Sequence, residues 1–538
     1  MSLKLCAKLS VASLLAITTA CSREEQATSP ELEVPTVQET TVANTVAAVS
    51  EDWLLKTLPE LVIAIDEGDI TSEGLTRAYL ERIETLESEY DLNAVLITNP
   101  DAIAQARAID EARLAGEHTG LLRGVPILLK DNIETSDNMP TTAGSLALLE
   151  NFAETDAPLV SGIRASGGII LGKTNLSEWA NFRANRSQSG WSGVGGRAKN
   201  PNVLDRQTCG SSAGSGAATA ASLAAGSVGT ETNGSIICPS NANGIVGFKP
   251  TLGVIPQEGI VPIAFSQDTA GPMTKSVLGA AILLTAMASS DTEADFISEL
   301  SDTSLQGKRV GVLRFSVSDQ TGIAELFDAA LSELESAGAE LVEIPEFDLG
   351  VEDYGEKSLT VLLVEFKETL NAYLAETPDT VASRTLADLI VFNEANSDAE
   401  LPIFGQDLFV MAEETSGLED EAYVSALAEI KKATGEMGID RLLAEYEVDV
   451  LVSPSGPVMP VIVEDGPDNW PKWSGAGYLA AVAGYPHLSV PMGQVEGVPV
   501  GLSFMSTAGA DTQVLSFGYA YEQASQMRVD PAFLPTSP

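Results

Sequence analysis

From Trp53 onward the chain alternates short apolar runs with longer amphipathic stretches. NAVLIT, GVPILL, GGIILG and VDVLVSP are apolar runs of strand length bounded by turn residues, and they predict buried strands. EDWLLKTLPELVIAIDEG, SEGLTRAYLERIETLES and SLTVLLVEFKETLNAYLAE carry apolar residues three and four apart, which predicts helices. KRVGVLRF, a helical IAELFDAALSELESAGAE and LVEIPEF predict a strand–helix–strand unit. No internal repeat and no linker-like break divides residues 51–538. The pattern predicts one large α/β domain, with helices layered around a mostly buried sheet.

Residues 209–240 break from this alternation, because they are dominated by small residues. CGSSAGSGAATAASLAAG predicts a Gly-Ser-Ser turn followed by a helix over 212–225, with Gly226 as its stop. SVGTET then runs extended into Asn233-Gly234-Ser235. About fourteen helical residues advance roughly 21 Å, and about seven extended residues return roughly 23 Å. Antiparallel packing of the two would therefore bring Ser235 back beside Ser211. A helix start and a turn of permissive residues both present unpaired N–H groups, as an oxyanion requires. A close-packing element without chemistry is the plain alternative at this point.

A serine nucleophile needs a base, and histidine is the usual one. The chain has only His118 and His487. Lys130 stands at the C-terminal end of the apolar GVPILLK, where ligand sites gather in α/β sheets. Desolvation there lowers a lysine pKa toward that of a usable base. A strand-end lysine pointing to water is the ordinary reading, and Lys173 in GKTN is a second base candidate that is expected rather to be exposed or to bond a loop.

Charge removes several function classes. Thirty basic residues stand against 76 acidic ones, a net charge of −46. Such a surface repels nucleic acid and anionic headgroups. Two histidines and four scattered cysteines leave little for a transition metal, and no D-x-D-x-D-G loop suggests calcium. No metal or cofactor is expected. The first twenty residues have the form of an export signal: Lys4 and Lys8, an apolar run to Ile17, then Thr18-Thr19-Ala20 before Cys21. The apolar run is too short to span a bilayer. Cleavage after Ala20 removes two lysines and no acid, leaving 28 basic against 76 acidic residues, net −48. Residues 21–50 are Glu-, Thr- and Pro-rich and are expected to form a disordered tether. Cys209 and Cys238 are expected as two buried free thiols, with a disulfide as the alternative in an oxidising compartment.

LRGVPILLKDNI, MPTTAGSLAL, GIILGKTNLSEWANFR, CGSSAGSG, GTETNGSIICPS, GIVGFKPTLG and SQDTAGPM together resemble the amidase signature family, in the family's order and across most of residues 52–525. The wording of TTAGSLAL, SEWANFR and SIICPS is similar to that of bacterial peptide amidases and related acylamidases. The resemblance implies a single amidase signature domain over 51–538, with a mixed sheet covered by helices. It implies a Ser–cisSer–Lys triad of Ser235, Ser211 and Lys130, a cis Gly210–Ser211 peptide, and an oxyanion hole in Thr232, Asn233, Gly234 and Ser235. Asn233 departs from the Asp or Gly common in that place. Thr18-Thr19-Ala20-Cys21 likewise resembles the lipobox of bacterial lipoproteins, although Thr18 replaces the usual leucine.

The expected protein is thus an exported amidase of the periplasm or cell envelope, held to the membrane through a lipid on Cys21 or freely secreted. Its expected substrate is a peptide amide or acyl amide. An aryl-acylamide or carbamate hydrolase is the close alternative, and a silent surface-anchored binding protein the alternative of another class. A tRNA-dependent amidotransferase subunit shares the core, but the export signal and charge argue against it. Gly210–Gly214 also fits G-x-S-x-G with Ser212 as nucleophile. That motif needs a later histidine, and His487 in AGYPHLSVP is expected as core or pocket wall, so Ser212 is expected to support the turn. GSGAAT at 214–219 fails the dinucleotide fingerprint at its last position. Ser177-Glu178-Trp179 and Asp268 are expected to brace the site, and Trp191 and Phe265 to line a pocket or join the core.

Overall fold

The computed structural model describes residues 49–537 apart from 118, 293, 301 and 302. The expected signal segment, Cys21, the tether up to residue 48, and His118 lie outside the described residues. The first predicted helix is divided into Glu51–Leu54 and Leu58–Glu67. Thr57 explains the break: it caps the second segment, its backbone N–H donating to Glu60 at 2.8 Å, with Pro59 in the first turn where no N–H is needed. The next helix, Ser72–Tyr90, starts behind Thr71, whose hydroxyl accepts from the Gly74 N–H at 3.0 Å.

The seven predicted strands join four that the sequence reading did not identify, Thr269–Thr274, Val246–Lys249, His487–Val495 and Val498–Met505, in one sheet of eleven. From edge to edge they are Val95–Thr98, Ile169–Thr174, Pro126–Lys130, Gly226–Glu231, Thr269–Thr274, Val246–Lys249, His487–Val495, Val498–Met505, Val450–Pro454, Arg309–Leu313 and Glu340–Ile344. Pro126–Lys130 is parallel to both of its neighbours, whereas Gly226–Glu231 and Thr269–Thr274 are antiparallel. The sheet is therefore mixed. Arg309–Leu313 and Glu340–Ile344 are parallel and joined through the helix Ile323–Ser336, the strand–helix–strand unit expected from the sequence. Strands on both sides of the centre are buried on both faces, which is why they read as continuous apolar runs rather than alternations.

The small-residue helix is shorter than expected, Ala213–Ala220 rather than 212–225. Gly226 begins the next strand instead of stopping the helix. The cause is tertiary. Ser222 takes a left-handed φ of 55°, and the Ala225 N–H donates to the Pro126 carbonyl at 3.3 Å, which draws the chain into the sheet beside Ile127. A second apolar cluster, outside the main core, joins the helices Tyr354–Glu376, Leu386–Ala395 and Asp407–Glu413 to Trp179 and Phe182. It covers the region where the small-residue segment turns.

Candidate active site

Lys130 ends the strand Pro126–Lys130, and Thr230 stands one residue before the end of its parallel neighbour Gly226–Glu231, so their side chains meet at the carboxyl ends of these strands. Lys130 is fully buried, and its Nζ lies 2.7 Å from the Ser211 Oγ, 2.7 Å from the Thr230 Oγ1 and 3.2 Å from the Thr230 carbonyl. The Asn132 amide donates to the same Thr230 hydroxyl at 3.0 Å. Burial pushes the Lys130 ammonium down to about 7, against the opposing pull of the Asp268 and Glu231 carboxylates. The exposed strand-end lysine of the ordinary reading is therefore not what the fold builds.

Ser211 precedes the small-residue helix and is joined to Gly210 by a cis peptide bond. Its carbonyl accepts from the Ser177 N–H at 2.9 Å. Gly210 has no room for a side chain, since a Cβ would lie 2.2 Å from the Ser177 Oγ. Ser235 returns to this point as the chain pattern predicts, its carbonyl accepting from the Ser212 N–H at 3.2 Å.

Glu231 fastens the turn that carries Ser235. Its buried Oε2 accepts from the N–H groups of Ile236 and Ile237 at 2.8 and 3.0 Å, so the chain between must loop outward. Gly234 sits at φ +83°, which glycine adopts without steric cost. Among the described residues, the N–H groups of Asn233, Gly234 and Ser235 meet no acceptor. Asn233 itself points outward and is exposed. Asp268 holds the start of the turn, accepting from the Thr232 hydroxyl at 2.6 Å and from the Ile263 and Ala264 N–H groups at 2.7 and 2.9 Å.

Thr232, Asn233, Gly234 and Ser235 open onto a cavity of about 530 Å³. Ser211 and Lys130 lie behind this wall. Cys209 and Cys238 also face the cavity, and they form a disulfide with a Cα–Cα distance of 5.8 Å. The expectation of two free thiols is thereby corrected. Cys209 precedes Gly210 and Cys238 follows the Ser235 turn, so the return of the chain that unites the two serines also unites the two sulfurs.

The other candidates resolve into supporting roles. The Ser212 hydroxyl donates to the Thr230 carbonyl at 3.0 Å and accepts from the Thr230 N–H at 3.2 Å, which makes it a tie between turn and strand. His487 is far from serving it, being bonded to Ser503 at 2.6 Å and forming part of the cavity wall. Lys173 is buried, bonding the Ile133 carbonyl at 2.6 Å and the Thr141 hydroxyl at 2.9 Å. Glu178 pairs with Arg183 and accepts from the Gly193 N–H at 2.8 Å, bracing the neighbouring loop rather than the serines. Trp191 packs edge-on against Phe404 in a core cluster, and Phe265 lines a different surface hollow.

Sequence reasoning missed Thr230, Trp470, Trp473, Tyr478 and Ser455. Thr230 carries no motif of its own; only its place at a strand end beside Lys130 gives it significance. Trp470 and Trp473, both lining the cavity, were legible as an aromatic pair (NWPKW) in an otherwise turn-rich segment.

Three comparisons bear on this arrangement. The family model described as Amidase matches residues 74–515. A probable amidase of Arabidopsis thaliana is 37% identical over 500 residues, covering 89% of this chain and 91% of that one. The native peptide amidase of Stenotrophomonas maltophilia superposes with a TM-score of 0.84 at 44% identity, over 89% of this chain and 99% of that one. A peptide amidase in complex with the competitive inhibitor chymostatin superposes with a TM-score of 0.85, again at 44% identity and the same coverage.

Proposed function

The chain belongs to the amidase family, and from that premise we propose that it is an exported serine amidohydrolase cleaving linear carboxamides through an acyl-enzyme on Ser235. The observation that carries the proposal is the 2.7 Å contact between the Lys130 Nζ and the Ser211 Oγ, fully buried and one residue from the Ser212 N–H that bonds the Ser235 carbonyl. A neutral amine has two N–H groups and one lone pair. Thr230 offers two acceptors, its carbonyl and its hydroxyl oxygen, and these account for the two N–H groups. The lone pair then faces the Ser211 hydroxyl. Lys130 accepts the Ser211 proton, and Ser211 accepts that of Ser235 as its oxygen attacks the amide carbon. The unpartnered N–H groups of the 233–235 turn, with Thr232, receive the oxyanion. Ser211 next returns a proton to the leaving amine, and water releases the acyl group by the same relay.

The substrate class we assign is a peptide C-terminal amide or a related acyl amide. Two peptide amidases among the similar structures support it, as does a cavity walled by Phe182, Trp470, Trp473 and Tyr478, which suits an apolar acyl portion. Export is supported by the residue 1–20 pattern, and the Cys209–Cys238 bond favours an oxidising compartment. Lipidation would fall on Cys21; mass spectrometry of the mature N-terminus tests it, an unmodified Cys21 or a different start contradicting the anchor. Turnover of peptide amides, fatty amides, anilides and carbamates by wild type and Ser235→Ala tests the activity. Hydrolysis of the peptide amides that disappears in Ser235→Ala is expected; hydrolysis surviving in the variant would overturn the nucleophile.

A further inference from the structure

Three serines and a histidine form a directed chain of hydrogen bonds that ends at the cavity. Ser489 and Ser503 face each other on the paired strands His487–Val495 and Val498–Met505, and both reach the hydroxyl of Ser455, just beyond Val450–Pro454. Their Oγ atoms lie 2.8 and 2.9 Å from the Ser455 Oγ. Gly501 makes the cluster fit, because a Cβ there would stand 2.4 Å from the Ser489 Oγ and 3.0 Å from that of Ser455. Gly477 does the same for the imidazole, where a Cβ would lie 2.6 Å from the His487 ring carbon.

The polarity of the chain follows from His487. Burial pushes its pKa down to about 3, and the Lys249 charge acts the same way, so the ring carries a single N–H. Its Nδ1 is buried and meets no partner among the described residues, whereas Nε2 lies 2.6 Å from the Ser503 Oγ. An orphaned N–H is the costlier fault and an orphaned lone pair the milder one. The proton therefore sits on Nε2 and is donated to Ser503. Ser503 must then give its own hydrogen to Ser455, as Ser489 also does. The Ser455 oxygen has now accepted twice, and among the described residues its remaining O–H meets no acceptor. Ser455 lines the same cavity as Ser235.

We propose that Ser455 is a specificity-determining residue whose hydroxyl donates into the cavity to a second carbonyl oxygen in the acyl portion of the substrate. This rests on the amide-hydrolase reading above, in which the scissile carbonyl goes to the 232–235 turn and a primary amide leaves only ammonia. The second carbonyl must therefore belong to the acyl side. Among the described residues no cation bonds Ser455, and a single neutral donor suits a carbonyl rather than a carboxylate, as does a chain of net charge −46.

The test compares N-acetylphenylalaninamide with 3-phenylpropanamide, which share the ring and the scissile amide and differ in the acetamido group. Wild type is expected to favour the first in kcat/KM. In Ser455→Ala that ratio falls by about tenfold, the size of one neutral hydrogen bond, with the loss in KM rather than kcat. Ser503→Ala lowers it less, because the Ser455 hydrogen then gains freedom to turn away. An unchanged ratio in both variants, with both amides still cleaved, overturns the role of Ser455 alone. Failure of wild type to cleave either amide overturns the hydrolase reading and this one with it.

Discussion

Two buried lysines on adjacent parallel strands show what separates the proposed base from a structural cation. Lys130 and Lys173 end or nearly end Pro126–Lys130 and Ile169–Thr174, and both are fully buried. Burial lowers both, Lys130 to about 7 and Lys173 to about 8. The difference lies in their neighbours. Lys173 has the Asp131 carboxylate 3.9 Å away, together with a carbonyl and a threonine hydroxyl, and none of these touches the cavity. Among the described residues Lys130 meets no carboxylate directly. Asp268 and Glu231 pull on it from a distance, while their oxygens hold the N–H groups and hydroxyl of the turn. Its nearest partners are instead the hydroxyls of Ser211 and Thr230, both at 2.7 Å. Desolvation thus lowers both lysines; what sets the proposed base apart is that its hydroxyl partner is Ser211, beside the Ser235 turn, and that its carboxylates are kept at a distance.

The comparison breaks most sharply by mutation. Lys130→Ala is expected to lower kcat by about 10³-fold, within the usual range for a general base, while circular dichroism stays native. Ser211→Ala is expected to cost about 10²-fold or more through loss of the relay. Lys173→Met is expected to do the reverse, keeping kcat in the folded protein but lowering unfolding stability by about 3 kcal/mol, since it strands the buried Asp131. Denaturant titration beside steady-state kinetics separates the two effects.

Acid sharpens the same contrast. Protonated Lys130 has no lone pair, so kcat/KM is expected to fall about tenfold per pH unit below about 7 and to level off above it. Lys173→Met should leave that midpoint in place. Thr230→Val removes an acceptor that favours the ammonium, so it is expected to move the midpoint to lower pH, with a smaller loss of rate. A pH–rate profile that follows Lys173 and ignores Thr230 would exchange the roles assigned to the two lysines.

The smallest effect on chemistry is expected at the disulfide. Reduction, or Cys209→Ser with Cys238→Ser, releases a loop of sequence separation 29 and should cost roughly 3 kcal/mol of stability on the chain-entropy view. The loss is expected as a lower melting temperature, read by calorimetry with and without reductant, before any loss of kcat.

Much of this arrangement was legible in the chain because strand-length apolar runs and turn residues report local geometry. GVPILLK placed Lys130 at a strand end, and the length of the 212–235 segment brought Ser235 back toward Ser211. Tertiary pairing concealed the rest. In the run ATAASLAAG every residue but Leu223 is small, and no proline or mid-run glycine marks where the helix yields to the strand; the sheet bond from Ala225 to Pro126 decides. Cys209 and Cys238 stood 29 apart with a disulfide open only as the alternative to free thiols, because their spacing alone does not show that the same return brings the sulfurs together. Ser455, Ser489 and Ser503 are isolated in the sequence and meet only through strand register.

The central claim is that Ser235 is the nucleophile and Lys130 its base through Ser211. Peptide mapping after reaction with a serine-directed fluorophosphonate, followed over time from pH 6 to pH 9, tests it most directly. The expected adduct lies on Ser235, forming at a rate that falls below about pH 7 in wild type and is nearly lost at every pH in Lys130→Ala. An adduct on Ser211 or Ser212, or a Lys130→Ala protein labelled as fast as wild type, would contradict it.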